Sequence, residues 1–354
     1  MVATTATDEL ADGEVPDHRY LARVSRRRAV GLVVAVVVLA VMCVLSLAVG
    51  TQTVGLGTVW GALTDFTDTG DQWIVHDLRV PRTVLGVVVG VALGLCGALI
   101  QGVTRNPLAD TQILGINSGA SLCVVAAIAF GGFTSVVSYI WFAFLGALVA
   151  MMFVFLVGMT GRTEATPVRV VLAGVAIGAV MDGIGYTIRL RNPRAFDTLR
   201  FWDAGAFDAR PLSVVWTILP FVVVGVLLAV YVGRSLNAVA LGDDLATAMG
   251  GNVTRTRVLG LVAVTLLAGA ATAAAGPIGF VGLMVPHVVR WFTGPDWRWI
   301  CVYCVVAAPS MMLAADIVGR VVIPPGELPV GIVTAFIGAP VLVWLIRRSD
   351  ASGL

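Results

Sequence analysis

An all-α polytopic membrane protein with about ten transmembrane helices is the fold class this sequence predicts, on three observations. Hydrophobic residues make up 58% of the 354 residues and charged residues only 12%, against roughly 25% charged in a soluble domain. Mean hydropathy is +0.95, more apolar surface than a water-soluble chain of this length buries. Apolar runs near the length of about 20 residues that crosses a bilayer recur along the whole chain. They fall at 29–50, 83–104, 113–131, 136–158, 168–188, 212–232, 256–275, 278–293, 299–321 and 329–346.

Residues 1–28 read as a disordered, solvated tail: Asp8, Glu9, Asp12, Glu14 and Asp17 come first, then Arg23, Arg26, Arg27 and Arg28 as a basic anchor. Arg26-Arg27 resembles a twin-arginine signal and Ser46-Leu47-Ala48 a cleavage site, but the later spans need 29–50 as the first span, so retention is expected. In the second span Gly86, Gly90, Gly94, Ala98 and Gly102 recur every four residues, a small-residue stripe expected to seat another helix of the same subunit. Asp182 lies in the middle of the fifth span, where a charge costs roughly 2.5–3.5 kcal/mol on insertion scales. It must therefore face a translocation path or a polar neighbour.

Between the sixth and seventh spans, Leu241 to Gly250 carries Asp243 and Asp244 in its first turn and glycine at its end, so it reads as a capped helix outside the bilayer. Gly276 to His287 holds Pro277 and Pro286 with three glycines, the pattern of a broken helix tolerated only where protein or a water-filled cavity satisfies the backbone. In the ninth span Asp316 precedes Arg320 by one turn, the favourable order for a helical ion pair.

Ten spans put both termini on one side. Arg23, Arg26, Arg27, Arg28, Arg105, Arg162, Arg169, Arg234, Arg255, Arg257, Arg290, Arg298, Arg347 and Arg348 share that side, which the positive-inside tendency makes the cytoplasm. Arg79, Arg82, Arg189, Arg191, Arg194, Arg200, Arg210 and Arg320 fall outside, as solvated loop charge or as a basic face for an acidic partner or anionic ligand. All 23 basic residues are arginine, which excludes a P-loop ATPase and Schiff-base lysine chemistry. Cys301 and Cys304 have CxxC spacing but read as small apolar residues one turn apart on a buried helix. His287 has no second ligand at usable spacing and is expected to be structural. No metal site, catalytic pair or nucleic-acid partner is expected.

Taken together these motifs resemble the FecCD family, the permease subunits of iron-siderophore and cobalamin ABC importers. The resemblance runs from about residue 30 to 347. It rests on Arg79-Val80-Pro81-Arg82, Gly97 to Gly102, Thr104 to Ala109 with Asn106-Pro107, and Leu114 to Ala120. It continues through Leu241-Gly242, Leu245-Ala246, Met249-Gly250, Gly276-Pro277-Ile278-Gly279, Pro286-His287 and Asp316 with Arg320.

The resemblance implies a type II ABC importer architecture, with a permease domain over 29–348 that forms a homo- or heterodimer around a central path. It implies no cofactor in this chain, with ATP and Mg held by the partner subunits. Two cytoplasmic ATPases would dock on short coupling helices at about 236–252, meeting Leu241, Gly242, Asp243, Leu245, Ala246, Met249 and Gly250. An extracytoplasmic binding protein would present acids to Arg79, Arg82 and Arg320. The inner gate would fall at Thr166, Pro167 and Val168, with Asp182 on the path. Asp203 stands where a small or apolar residue is expected.

The implied function is ATP-driven import across the bacterial plasma membrane by a multi-pass subunit that is not itself an enzyme. Ferric siderophore is the foremost substrate, with haem or cobalamin as alternatives. An ion-coupled secondary transporter is the rival; it predicts several intramembrane acids or an inverted repeat, and Asp182 alone is thin support.

Overall fold

The computed structural model describes residues 18–67, 69–159, 167–208 and 210–350, and no strand occurs among them. In chain order the helices are α1 (His18–Ala48), α2 (Leu56–Thr64), α3 (Gly70–Trp73), α4 (Val80–Thr104), α5 (Ile116–Gly131), α6 (Val136–Met159) and α7 (Pro167–Arg191). They continue as α8 (Pro193–Asp203), α9 (Leu212–Ala240), α10 (Asp243–Ala248), α11 (Val253–Ala275), α12 (Val281–Thr293), α13 (Trp297–Val322) and α14 (Val330–Asp350). A π-helical turn, Ile74–Arg79, joins α3 to α4, and a 3₁₀ turn, Thr111–Leu114, leads into α5.

Each of the ten expected spans is a helix. Seven of them are long and apolar enough to cross a membrane, and α5, α12 and α14 carry the three shorter expected spans. α1 begins at His18, so Arg23 to Arg28 belong to its first turns and not to a tail; the acidic stretch before it lies outside the described residues. Arg28 then ties α1 to the bundle: it donates to the Thr293 carbonyl at 2.6 Å, and its own carbonyl accepts from the Tyr303 hydroxyl at 2.6 Å. Likewise α9 runs on to Ala240, so the region 236–252 holds the end of a long helix and one short helix, α10.

The core forms around α4, which packs against α9, α11, α12 and α13. Its small-residue stripe seats α13, as expected of an internal packing face. A Cβ on Gly90 would stand 2.5 Å from the Pro309 Cα, and one on Gly94 2.5 Å from the Ala308 Cβ. At Gly97 the neighbour is α12, and an added Cβ would meet the Gly282 carbonyl oxygen at 1.9 Å. Backbones approach this closely only between small residues, and the dispersion contact they gain replaces the hydrophobic drive that lipid does not supply.

Between α11 and α12 the chain breaks, as the glycines and prolines predict. Gly276 has φ +80°, and its missing side chain leaves room for the Trp202 carbonyl, which a Cβ would meet at 1.8 Å. The Ala206 amide donates to the Ala275 carbonyl at 2.8 Å, and the Gly331 amide to the Gly205 carbonyl at 2.9 Å. These bonds knit the break to the α8–α9 connection and to the start of α14. In contrast, α7 packs on α5 and α6 and leaves Leu172, Val175, Val180, Ile184 and Leu190 exposed along one side.

Candidate functional site

The exposed side of α7 is not uniformly apolar. Asp182 and Arg189 lie two turns apart on one face, opposite Ser118 and Ser121 of α5. Ser118 Oγ donates to Asp182 Oδ2 at 2.9 Å. Arg189 pairs with Asp203, at the end of α8, at 2.5 Å. It also donates to Ser121 Oγ at 2.5 Å, and that hydroxyl donates to Asp203 at 3.2 Å. These groups line a cavity of about 670 Å³, completed by Gln112, Asn117 and Pro277. Two carboxylates and a guanidinium facing acyl chains would each carry the insertion cost of an intramembrane charge, so this face belongs to a hydrated space or to protein. Asp182 therefore has a polar neighbour in Ser118 and borders a cavity.

The sequence reading placed Arg189 in an outer loop. It sits in the last turn of α7, turned to the same cavity, and no sequence spacing reveals its pairing with Asp203 across the turn into α8. The gate position is only partly visible: Thr166 lies outside the described residues, while Pro167 and Val168 open α7.

At the end of the bundle that carries Arg82, here termed outer, the three expected docking arginines separate into two kinds. Arg320 is 2% exposed and pairs with Asp316 at 3.0 Å, as the i, i+4 spacing predicts. It also donates to the carbonyl and hydroxyl of Ser46, at 2.9 and 3.0 Å. Arg79 is 6% exposed and donates to the carbonyls of Leu47 and Gln52, at 2.8 and 2.5 Å. Both guanidiniums are thus engaged with their own chain, fastening the end of α1 to the π turn and α13. Arg79 and Arg320, expected to meet a binding protein, are thus buried and bonded within their own chain.

Arg82 differs. It pairs with Asp316 at 2.8 Å and Glu327 at 2.6 Å, and it lines an outer cavity of about 620 Å³ with Asp77, Ala206, Phe207, Asp208 and Arg210.

At the opposite, inner end, α10 is a single rigid turn-and-a-half. Gly242 with φ +118° and Gly250 with φ +81° bracket it, conformations open to glycine at little cost. Asp243 at its N-terminus pairs with Arg257 of α11 at 3.0 Å and with Arg105 at the end of α4. Ala246 is buried beneath it, whereas Leu241, Leu245 and Met249 are each about half or more exposed. Leu245 lies on α10 and Met249, four residues on, caps its end, whereas Leu241 caps α9 and is set off from them by the non-helical Gly242.

The remaining motif residues hold the bundle together. Gln101 of α4 donates to the Gly282 and Leu283 carbonyls, at 3.0 and 3.3 Å, and accepts from Arg290 at 2.8 Å. Asn106 accepts from the Leu108 amide at 2.9 Å, closing the turn that Pro107 occupies. Gly279 leaves space for the Gln112 amide, which a Cβ would meet at 2.3 Å. Pro286 lies inside α12, and His287 stands edge-on to Trp291 at 5.8 Å. Among the described residues no His, Cys, Asp and Glu cluster could hold a metal, and Cys301 and Cys304 are buried free thiols of α13.

A helical membrane bundle with a lateral polar cavity and a short helix flanked by exposed apolar residues at one end is the frame of a transport permease. The chain belongs to the FecCD transport family, whose model matches residues 38–348. It is 45% identical over 326 residues to the ferric enterobactin transport system permease protein FepD of Escherichia coli K12, covering 92% of this chain and 97% of that one. It is 38% identical over 327 residues to the iron(3+)-hydroxamate import system permease protein FhuB of Bacillus subtilis 168, covering 91% and 85%. A solved structure of a metal-chelate type ABC transporter in an inward-facing conformation has the same fold, with TM-score 0.78 and 24% identity over 90% of this chain and 98% of that chain.

Proposed function

We propose that this permease imports ferric siderophores across the bacterial plasma membrane as one half of a dimer, both termini cytoplasmic, with ATP hydrolysed by separate subunits. The observation that carries this is the exposed apolar patch around α10. Leu245 of α10, its C-cap Met249 and Leu241 at the end of α9 stand exposed where Asp243 ties the segment to Arg105 and Arg257. An apolar face outside the bilayer asks for a protein partner, and a chain without lysine has no P-loop of its own. ATP and Mg then belong to two ATPases docked on that patch. The iron-chelate names of the family members above support the substrate class. On the outer face Arg82, flanked by Glu327 and Arg210, is the contact for an extracytoplasmic binding protein. Asp182 lies on the path, and Thr166, Pro167 and Val168 mark its inner end.

The experiment compares uptake of labelled ferric siderophores, haem and cobalamin in cells with and without the gene, and co-purification of an ATPase with L245D/M249D. Loss of ferric siderophore uptake on deletion, and loss of the ATPase with the double variant, is the expected result. Loss of haem or cobalamin uptake alone would reassign the substrate, and retention of the ATPase by the variant would remove α10 as the docking element.

A further inference from the structure

Charged groups lining the α5–α7 cavity do not balance. Asp182 and Asp203 supply two carboxylates and Arg189 one guanidinium. Arg189 is spent on Asp203, in a pair further fixed by Ser121. Among the described residues Asp182 has only a neutral hydroxyl, Ser118 Oγ at 2.9 Å, and it remains open to the cavity. The other polar groups of the lining, Gln112, Asn117 and Tyr186 among them, are neutral. The cavity therefore carries one uncompensated negative charge per chain. In a homodimer a two-fold axis would repeat it, and two such carboxylates along one passage make its potential more negative still.

We infer that Asp182 is a charge-selecting residue of the path, one that favours neutral or cationic ferric chelates over polyanionic ones. The chemistry of chelation sorts the candidates. Three hydroxamates cancel the charge of ferric ion, and a pendant amine makes the chelate cationic. Three doubly ionised catecholates leave a trianion, which Asp182 repels. The inference rests on the import function proposed above and narrows it to hydroxamate-type chelates, the class named in the Bacillus subtilis relative. Asp203 acts differently: it pairs with Arg189 at the cavity wall, so the cation of the described lining is neutralised and not offered to an anionic ligand.

Uptake of radio-iron in cells that carry this permease with its own ATPase and binding protein tests this. Three chelates serve: a cationic trihydroxamate, a neutral trihydroxamate and a tricatecholate. Each rate in D182N cells is divided by the rate of the same chelate in wild-type cells, and permease content is matched by immunoblot. The unchanged binding protein cancels from that ratio.

The expected result is that D182N lowers uptake of the cationic chelate about tenfold, the effect of one unit charge a few ångströms away in a partly hydrated site. Uptake of the neutral chelate changes little, and any tricatecholate uptake rises. D203N, which frees Arg189, likewise raises any tricatecholate uptake above wild type. Equal ratios for all three chelates, or a fall confined to the tricatecholate, would overturn the inference while leaving import intact. Absence of gene-dependent uptake of any of the three would instead remove the import function on which it rests.

Discussion

Replacing Gly97 by alanine tests whether contact between α4 and α12 is as close as described. The added Cβ would lie 1.9 Å from the Gly282 oxygen, 2.3 Å from its Cα and 2.4 Å from its carbonyl carbon. All three are backbone atoms, so no side chain can swing aside. Restoring ordinary contact requires one helix to retreat by about 1.5 Å. That retreat stretches the Gln101 bond to the Gly282 carbonyl, now 3.0 Å, beyond useful length. Overpacking costs about 1–3 kcal/mol, and a lost buried hydrogen bond adds about 1 kcal/mol. G97A should thus destabilise the permease by about 2–4 kcal/mol on these two effects. G233A is the control, because its Cβ would approach only the Cys301 sulfur, at 3.9 Å. Thermal unfolding of the purified protein in detergent, read by tryptophan fluorescence or monodisperse size-exclusion fraction, separates the two. A G97A midpoint equal to that of G233A would refute the backbone contact.

Three further outcomes follow from the same geometry. D316A strips a 1%-exposed carboxylate from between Arg82 and Arg320; the unpaired buried charges should cost about 3–5 kcal/mol, seen as low membrane yield that the further change R320M partly restores. Q101A leaves two carbonyls and Arg290 without their partner and should lower stability by about 1–3 kcal/mol in the same unfolding assay. G276A meets both a positive φ and the Trp202 carbonyl at 1.8 Å, so it should be worse than G279A, whose neighbour is the flexible Gln112 side chain; equal yields would contradict the geometry.

Features tied to short-range chemistry were legible in the sequence. Ten spans follow from hydropathy, the Asp316–Arg320 pair from i, i+4 spacing, the broken helix from Gly276 and Pro277, and the packing stripe from its four-residue period. Features set by tertiary placement were not. Arg79 and Arg320 look like outward-facing cations because sequence registers their charge but not the Ser46, Leu47 and Gln52 oxygens that α1 brings to them. The small helices α2, α3 and α8 escaped a search tuned to membrane-length apolar runs. Asp182 announced itself by depth, whereas Ser118, Ser121 and Arg189 carry no signal until α5 and α7 lie side by side.

The stretch from Asp203 to Asp208 has one end in each of the two cavities: Asp203 lines the α5–α7 space, and Ala206, Phe207 and Asp208 line the outer one. Between them Gly205, at φ +72°, is wedged against Ile278 and the Pro277 carbonyl. Gly205, Ala206 and Phe207 are buried between the two ends, and packed segments shift between discrete arrangements more readily than they bend. Perturbations at Asp208 and at Asp203 should therefore combine non-additively, although neither residue lines the other's cavity.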